Sequence, residues 1–476
     1  MFGFKMNPSE GSAMRQLCAH LRAKVESGEL AAGMRMPPTR IAAQELNIAR
    51  NIIVEVYEQL AAEGYLETRI GSGTFVASGV GERTSLGEEW TFHHLTWEAA
   101  FNGSGFRTEE GMIDFTGGTP DLRLFPRKTW GRYLREAVNT MDEQGFDYGD
   151  PRGDASLRRV LADYLFRAKG IRANPEQIVI VSGTSEGLLL IASACSDRFR
   201  TAYVEDPTID FIPGVLRRLG YALHPVGVDG QGADIGQIGP NDPPGLLVLT
   251  PSHQYPTGSV LSIQRRRQAV RLAEQAGHIL VEDDYDSEFR HRGIPIPPLQ
   301  TLSPSRVIYT STFSKTLFPA MRLGYLVAPP EMLGLLLNAK MELNLFTQVI
   351  PQRALARFIE DGCFDRHAQS MRRVYKKRRL CLTEELGRIF GKDLTVSGDE
   401  AGMHIQADFS AVAPRGLNWA DAESFGVRVN SFEDYALLKG RYSGKMVLGY
   451  GRLNEEEIRE GVARLRRFIS ANGPLK

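Results

Sequence analysis

The sequence predicts an α/β protein of two domains: a small N-terminal unit of three helices plus a β-wing, joined by a linker to a large domain whose sheet is covered by helices. Three observations predict it. Up to Ala77, apolar residues recur at helical spacing in three runs and then alternate in two short ones. From Met112 onward, short apolar runs alternate with helical ones, the pattern of parallel strands connected through helices. Between them, residues 78–111 carry scattered glycines and neither period. The expected boundaries are 9–77, 78–111 and 112–476.

With 476 residues, 42% of them hydrophobic, the chain exceeds one ordinary core. Lys plus Arg equals Asp plus Glu at 57 each, so no overall field draws the protein to nucleic acid or anionic lipid. Any DNA binding has to come from local geometry. Cys18, Cys195, Cys363 and Cys381 are far apart, with no CxxC pair. That argues against a zinc site or a disulfide framework and fits a reducing cytoplasm. The N-terminus lacks a signal-peptide core, and no run approaches the roughly 20 apolar residues of a membrane span. The expectation is a cytoplasmic protein without a membrane segment or a metal.

Met14, Leu17, Leu21 and Val25 mark a first helix that Gly28 ends. Pro37-Pro38-Thr39 supplies a stiff turn and an N-cap for a short second helix through Ile41, Ala42 and Leu46, which Asn47 can close. A third runs from Ala49 to Glu63 with Ile53, Val56, Tyr57 and Leu60 inward. Residues 65–69 and 74–77 then alternate like strands around Ile70-Gly71-Ser72-Gly73, a hairpin. Three helices and a two-stranded wing make a winged helix-turn-helix, whose recognition helix can enter a major groove.

Pro37-Pro38-Thr39-Arg40, Asn47-Ile48-Ala49-Arg50-Asn51, Tyr57-Glu58-Gln59-Leu60, Glu63-Gly64-Tyr65-Leu66 and Gly71-Ser72-Gly73-Thr74-Phe75-Val76 together resemble the DNA-binding domain of GntR-type bacterial regulators. The resemblance implies that Arg40, Arg50 and Asn51 reach double-stranded operator DNA, and that Gly71 and Gly73 let the wing backbone approach it. The family commonly has serine, threonine and arginine where this chain has Ala49, Ile52 and Glu55, which removes phosphate contacts. Eight Lys/Arg balance eight Glu from Met1 to Ala77, so one such module binds weakly and a dimer on two half-sites recovers affinity. The linker carries an amphipathic patch, Trp90 to Trp97, with His93 and His94 read as packing or surface residues.

In the large domain, apolar runs at 178–181, 202–204, 246–249, 279–281 and 307–309 read as strands, with ligands expected at their C-terminal ends. Ser182-Gly183-Thr184-Ser185 opens a helix and can offer N–H groups to a phosphate. Glu282-Asp283-Asp284-Tyr285-Asp286 is either a solvated acidic turn or a carboxylate cluster able to protonate a pyridine nitrogen. Thr310 to Arg322 sets Lys315 among Thr312 and Ser314 with Arg322 seven positions on, which suits a phosphate-bearing aldehyde: the amine can form a Schiff base, the hydroxyls and guanidinium can bind the dianion.

The order of these motifs, with Pro251-Ser252-His253-Gln254-Tyr255-Pro256-Thr257-Gly258 between them, resembles aspartate-aminotransferase-like, fold-type I pyridoxal-phosphate proteins. Joined to the winged helix, it resembles the MocR subfamily of GntR-type regulators. The resemblance implies that Lys315 carries pyridoxal 5'-phosphate, Asp283 faces its ring nitrogen and Tyr285 its ring oxygen, with Tyr255 beside it. It implies a phosphate cup of Thr184, Ser185, Thr312, Ser314 and Arg322, with Tyr148 reaching the neighbouring subunit's phosphate in a domain-swapped homodimer. Three positions depart from the pattern. Ile209 stands where the family usually has an aromatic, so ring stacking there is either lost or supplied by another residue, with Phe211 the candidate. Tyr255 stands where aminotransferases have asparagine. Val447 stands where they have the arginine that binds a substrate carboxylate, with Arg452 near but out of position.

The run Arg366 to Arg379 holds seven Lys/Arg, read as a solvated helix face or a second DNA-contacting surface. The expected function is a transcription regulator that senses pyridoxal phosphate or an amine. The alternatives are a working aminotransferase with an appended DNA-binding domain and a regulator that has lost the cofactor.

Overall fold

The computed structural model describes residues 3–4, 6–7, 11–69, 71–79, 110–293 and 296–473, and the chain divides into two units, residues 1–106 and 107–476. The Trp90 to Trp97 patch, most of the linker and Ile70 of the wing lie outside the described residues.

The small unit holds α1 (Ala13–Glu26), α2 (Thr39–Leu46), α3 (Arg50–Ala62) and the antiparallel pair β1 (Leu66–Arg69) and β2 (Gly73–Val76). The Ser12 side chain accepts from the Arg15 N–H at the start of α1. Thr39 is the first residue of α2 rather than its cap. Pro38 occupies the cap position without a side-chain bond, its fixed φ already suited to the turn. Asn47 adopts φ 53°, the left-handed conformation that closes the helix. Leu17, Leu21, Val25, Ile53, Val56, Leu60, Leu66 and Val76 pack as one core. Beside β2, the Met36 N–H donates to the Thr74 carbonyl at 2.8 Å and the Val76 N–H to Met34 at 2.9 Å, so the turn before α2 also pairs with the wing.

In the large unit, β3 (Ile113–Asp114) is followed by β4 (Ile178–Val181), β5 (Thr201–Asp206), β6 (Ala222–Asp229), β7 (Gly232–Ala233), β8 (Leu246–Leu249), β9 (Ile279–Asp284), β10 (Val307–Thr312) and β11 (Gly324–Val327). Eight strands form one sheet in the order β4-β11-β10-β9-β8-β5-β6-β7. Strands β10, β9, β8 and β5 are parallel, as expected, and β6, which the sequence did not single out, joins them in parallel, but β11 runs antiparallel between β10 and β4. The reason is the connection after β10: residues 313–323 are too few for a crossover and return as a tight loop, closed by the Phe313 N–H donating to Leu323 at 3.0 Å. That loop carries Lys315.

A second, antiparallel sheet follows: β12 (Thr395–Ser397), β13 (His404–Asp408), β15 (Asn430–Ser431) and β16 (Lys445–Gly449), while β3 pairs in parallel with β14 (Val427–Arg428). Leu382, Leu386, Ile405, Leu448, Val462, Leu465 and Phe468 fill the core between this sheet and the helices Cys363–Phe390 and Glu455–Ala471. The basic run on the first of these helices is not a uniformly solvated face. Arg378 and Arg379 are buried and paired with Asp121 and Asp399, Lys377 meets Glu455 at 3.0 Å, and Arg372 donates to the Glu288 carbonyl. Among the described residues, no helix is long and apolar enough to cross a membrane.

Helix Thr184–Cys195 is fastened to helix Pro330–Asn344 by Lys340, which is fully buried and donates to Glu186 and, at 2.7 Å, to the Thr347 hydroxyl. Replacing Lys340 by Met leaves Glu186 without its cation. The expected cost is about 3–5 kcal/mol in the large unit's urea unfolding; a loss near zero would mean that water already reaches this pair.

Candidate functional site

The ends of the parallel strands converge on one region. After β4, Gly183 (φ 125°) caps helix Thr184–Cys195 with no side-chain bond, leaving the first-turn N–H groups of Thr184 and Ser185 for a ligand. A Cβ on Gly183 would stand 3.0 Å from an Arg322 guanidinium nitrogen, so the arginine lies directly over the bare helix end. Arg322 is held there by a left-handed backbone, φ 48°, at the end of the Lys315 loop. In that loop the Ser314 N–H donates to the Thr312 hydroxyl at 3.1 Å, and that hydroxyl donates to Ser314 Oγ at 3.0 Å. Helix-end amides, two hydroxyls and a guanidinium are together a cradle that could hold a dianion.

Asp283 lies within β9, opposite Thr310 of β10, rather than just past the strand. All of Glu282, Asp283, Asp284 and Asp286 are buried, which disposes of a solvated turn. Alternation separates them. Glu282 accepts from the Leu299 and Gln300 N–H groups, and Asp284 from Tyr309, Ser287 and Lys169. Asp283 faces the other way, and its Oδ1 is buried with no hydrogen-bond partner. Burial, with the charge of Asp284 behind it, pushes its carboxyl up to about 8, while Lys315 draws it down. Burial lowers the Lys315 amine, against the attraction of Asp286 and Asp283. A buried carboxyl lacking a partner and an amine biased toward its neutral, nucleophilic form fit a protonated ring nitrogen and an aldehyde on one molecule.

Next to the Lys315 region lies an aromatic cluster: Tyr255, Tyr285, Phe432, Tyr435 and Val447, with Ile209 and Tyr442 against them. The Tyr255 hydroxyl donates to Tyr435 at 3.0 Å and the Tyr285 hydroxyl is 3.2 Å from His253 Nδ1. Ile209 touches this cluster, whereas Phe211 packs into the core with Ile212 and Leu216, so Phe211 does not replace the missing ring. Val447 is fully buried, and Arg452 is bound to Asp114 and unavailable to it.

Tyr148 is 80% exposed and does not join Lys315 within its own chain; its ring meets Phe346, 6.2 Å away. In the small unit, Arg40, Arg50 and Asn51 are exposed at the N-terminal ends of α2 and α3, with Arg50 Nε 3.5 Å from Thr39 Oγ1. Gly71 and Gly73 take φ 74° and 109°, conformations that glycine adopts without strain.

Several residues escaped the sequence reading. A Cβ on Gly118 would be 3.2 Å from Lys315 Nζ, and one on Gly117 2.9 Å from the Tyr255 hydroxyl and 3.1 Å from Val447. The Gly117-Gly118 pair, just after β3, was the available signal. His253 and Asp286, 2.9 Å apart beside Tyr285, sit inside motifs noted for other members. Arg35, 3.3 Å from the Cβ position of Gly73, adds a cation at the wing.

Residues 113–454 match the family model for aminotransferase class I and II, and residues 13–76 that for bacterial regulatory proteins of the gntR family. The chain is 33% identical to the probable rhizopine catabolism regulatory protein MocR of Rhizobium meliloti, over 95% of this chain and 92% of that one. It is 31% identical to the pyridoxine biosynthesis transcriptional regulator PdxR of Corynebacterium glutamicum, over 98% of each. Among solved structures, it is similar to LysN, the α-aminoadipate aminotransferase of Thermus thermophilus complexed with N-(5'-phosphopyridoxyl)-L-leucine. That match has a TM-score of 0.69 and 26% identity and covers 76% of this chain and 93% of that one.

The raised Asp283 pKa has a sign that can be measured. A carboxyl with a folded pKa of about 8 binds its proton more tightly folded than unfolded, so stability falls as pH rises from the ordinary carboxylate range toward 8. Cofactor-free Asp283→Asn is therefore expected to melt several degrees above the parent at pH 8, with a smaller gap at pH 5. A gap independent of pH would contradict the burial of an unpartnered carboxyl.

Proposed function

The chain belongs to the MocR-type regulators, a gntR-family DNA-binding unit joined to an aminotransferase class I and II domain, and from that premise we propose that it binds pyridoxal 5'-phosphate at Lys315 and regulates transcription in response to the cofactor or to an amine that reacts with it. The carrying observation is the alignment of an unpartnered buried Asp283, the Lys315 amine and the Arg322-Gly183 cradle. Bound there, the cofactor supplies an aldehyde that condenses with amines and a ring that withdraws electrons. Asp283 would hold the ring nitrogen protonated. Thr184, Ser185, Thr312, Ser314 and Arg322 would bind the phosphate, and Tyr285 and Tyr255 would line the ring-oxygen side. As a DNA-binding regulator it would act in the cytoplasm.

Turnover of ordinary amino acids is disfavoured by Val447, since a substrate carboxylate there meets an apolar wall and no cation. Pyridoxal phosphate itself, or an amine without that carboxylate, is the better effector. A second copy of the chain would cover the exposed apolar face of Phe146, Tyr148 and Leu345 and bring its own Tyr148 to the cup. The route to the DNA-binding unit would begin at Gly117-Gly118. This stretch abuts Lys315 and follows β3, which leads back to the linker. A ligand acts only through unequal affinity for two arrangements of the dimer, with the linker carrying the response.

Footprinting on the gene's own upstream DNA, with and without pyridoxal phosphate and a panel of amines, tests the reading. The expected outcome is a protected site whose affinity changes at least about fivefold with the cofactor or one amine. Lys315→Ala should abolish that response while still binding DNA. Arg50→Ala should weaken binding about tenfold in both conditions. Steady multiple turnover with an amino acid and a keto acid, without any effect on DNA, would support a working aminotransferase instead.

A further inference from the structure

Beneath the aromatic side of the site lies a buried pair that the cofactor reading leaves without a task. His253 and Asp286 are 2% and 1% exposed, on the loop after β8 and just past β9. His253 Nδ1 is 2.9 Å from Asp286 Oδ2 and 3.2 Å from Oδ1. The same nitrogen is 3.2 Å from the Tyr285 hydroxyl. A ring nitrogen carries either a proton or a lone pair, so these two contacts compete. With a proton, Nδ1 donates to the carboxylate, and the phenol has to give its hydrogen to another acceptor. With a lone pair, Nδ1 accepts from the phenol and confronts a carboxylate that has lost its donor.

Burial decides between them. A fully buried carboxylate without a donor is strongly disfavoured, and that of Asp286 has no other hydrogen-bond partner among the described residues. The proton therefore belongs on Nδ1; against the pull of burial, the Asp286 charge and the Gly398 carbonyl, 3.5 Å from the other ring nitrogen, raise the imidazole's pKa, so that nitrogen too favours a hydrogen facing the carbonyl. Burial keeps Tyr285 protonated, its pKa far above the ordinary range, so it remains a hydrogen-bond donor. Among the described residues its hydroxyl has no second acceptor. Burial together with His253 and Lys315 holds neighbouring His404 neutral, so it does not compete for Asp286 as a cation.

We propose that Asp286 and His253 are positioning residues of this site: Asp286 fixes the proton on His253 Nδ1, and that keeps the Tyr285 hydroxyl free to donate to an oxyanion, the ring oxygen of pyridoxal phosphate. The inference rests on the cofactor reading and deepens it. It assigns the pair a role that neither contact with substrate nor bulk packing would give.

Epistasis separates this role from a structural one. The full-length chain and its variants are titrated with pyridoxal phosphate, recording the dissociation constant and the pH midpoint of the bound cofactor's absorbance. Tyr285→Phe and Asp286→Ala should each weaken binding about threefold to tenfold, the weight of one hydrogen bond, and move the midpoint in the same direction. Asp286→Ala should add nothing to Tyr285→Phe. His253→Phe combined with Asp286→Ala should restore most of the parent's affinity and midpoint, because no ring nitrogen remains to capture the phenol. A double variant as weak as Asp286→Ala, or an effect that adds fully to Tyr285→Phe, overturns the inference while leaving the cofactor reading intact. A parent chain that binds no pyridoxal phosphate overturns both. Stoichiometric metal in the parent that His253→Phe loses would also overturn it, assigning His253, Asp286 and His404, whose ligand atoms lie within 4.8 Å of one another, to a metal centre.

Discussion

A carboxyl group buried without a partner imposes the constraint to which the large domain answers. Asp283 sits in the middle of an eight-stranded sheet, where an ionised group costs several kcal/mol unless something of opposite charge meets it. Its neighbours show that the fold is able to satisfy such groups: Glu282 receives two backbone N–H groups, Asp284 receives Lys169, Tyr309 and Ser287, and Glu205 receives Thr250. Asp283 differs from these neighbours, and it lies on the face where Lys315 and the Arg322 cradle converge. The Lys315 amine offsets only part of the cost of burying it and makes no hydrogen bond to it; a ring nitrogen held by a phosphate and a Schiff base would meet it.

Much of this was legible in the sequence, where local chemistry and order carry the signal. Three helical periods and a Gly-rich hairpin specify the small unit, because its core is drawn from residues close in sequence, Leu17 to Val76. Lys315, Asp283 and Arg322 stood out as candidates through the order of motifs that resembles fold-type I pyridoxal-phosphate proteins. Other features depend on distant contacts and left weaker traces. Strand β6 contains Pro225 and a mostly exposed face, so its alternation is faint. The reversal of β11 follows from loop length, not from its residues. The basic run at 366–379 reads as a surface stripe, yet Arg378 and Arg379 turn inward because Asp121 and Asp399 arrive from elsewhere in the chain. Composition cannot report such partners. Likewise, nothing local to Gly117-Gly118 announces that Lys315, far along the chain, lies against it.

The proposed preference for sensing over turnover rests on the same site. An enzyme that processes amino acids has to hold a carboxylate while the chemistry proceeds at the amine, and a buried cation is the direct way to do so. Here Val447 lies flush against Gly117 and Tyr255, and Arg452 is committed to Asp114. What remains is a cradle and a nucleophile able to retain a cofactor, next to a stretch of backbone that continues from the linker. On the proposed reading, such an arrangement would convert occupancy into a change of position rather than into product. The pairing of His253 with Asp286 adds a further layer, in which proton placement on one imidazole decides what a neighbouring phenol can offer.

The central claim is that this chain holds pyridoxal phosphate covalently and at one place. Borohydride reduction of the purified protein incubated with the cofactor, followed by peptide mass analysis, tests it most directly. The account predicts one phosphopyridoxyl group per chain, on the peptide that contains Lys315. No adduct, or adducts spread over surface lysines with Lys315 unmodified, would contradict it.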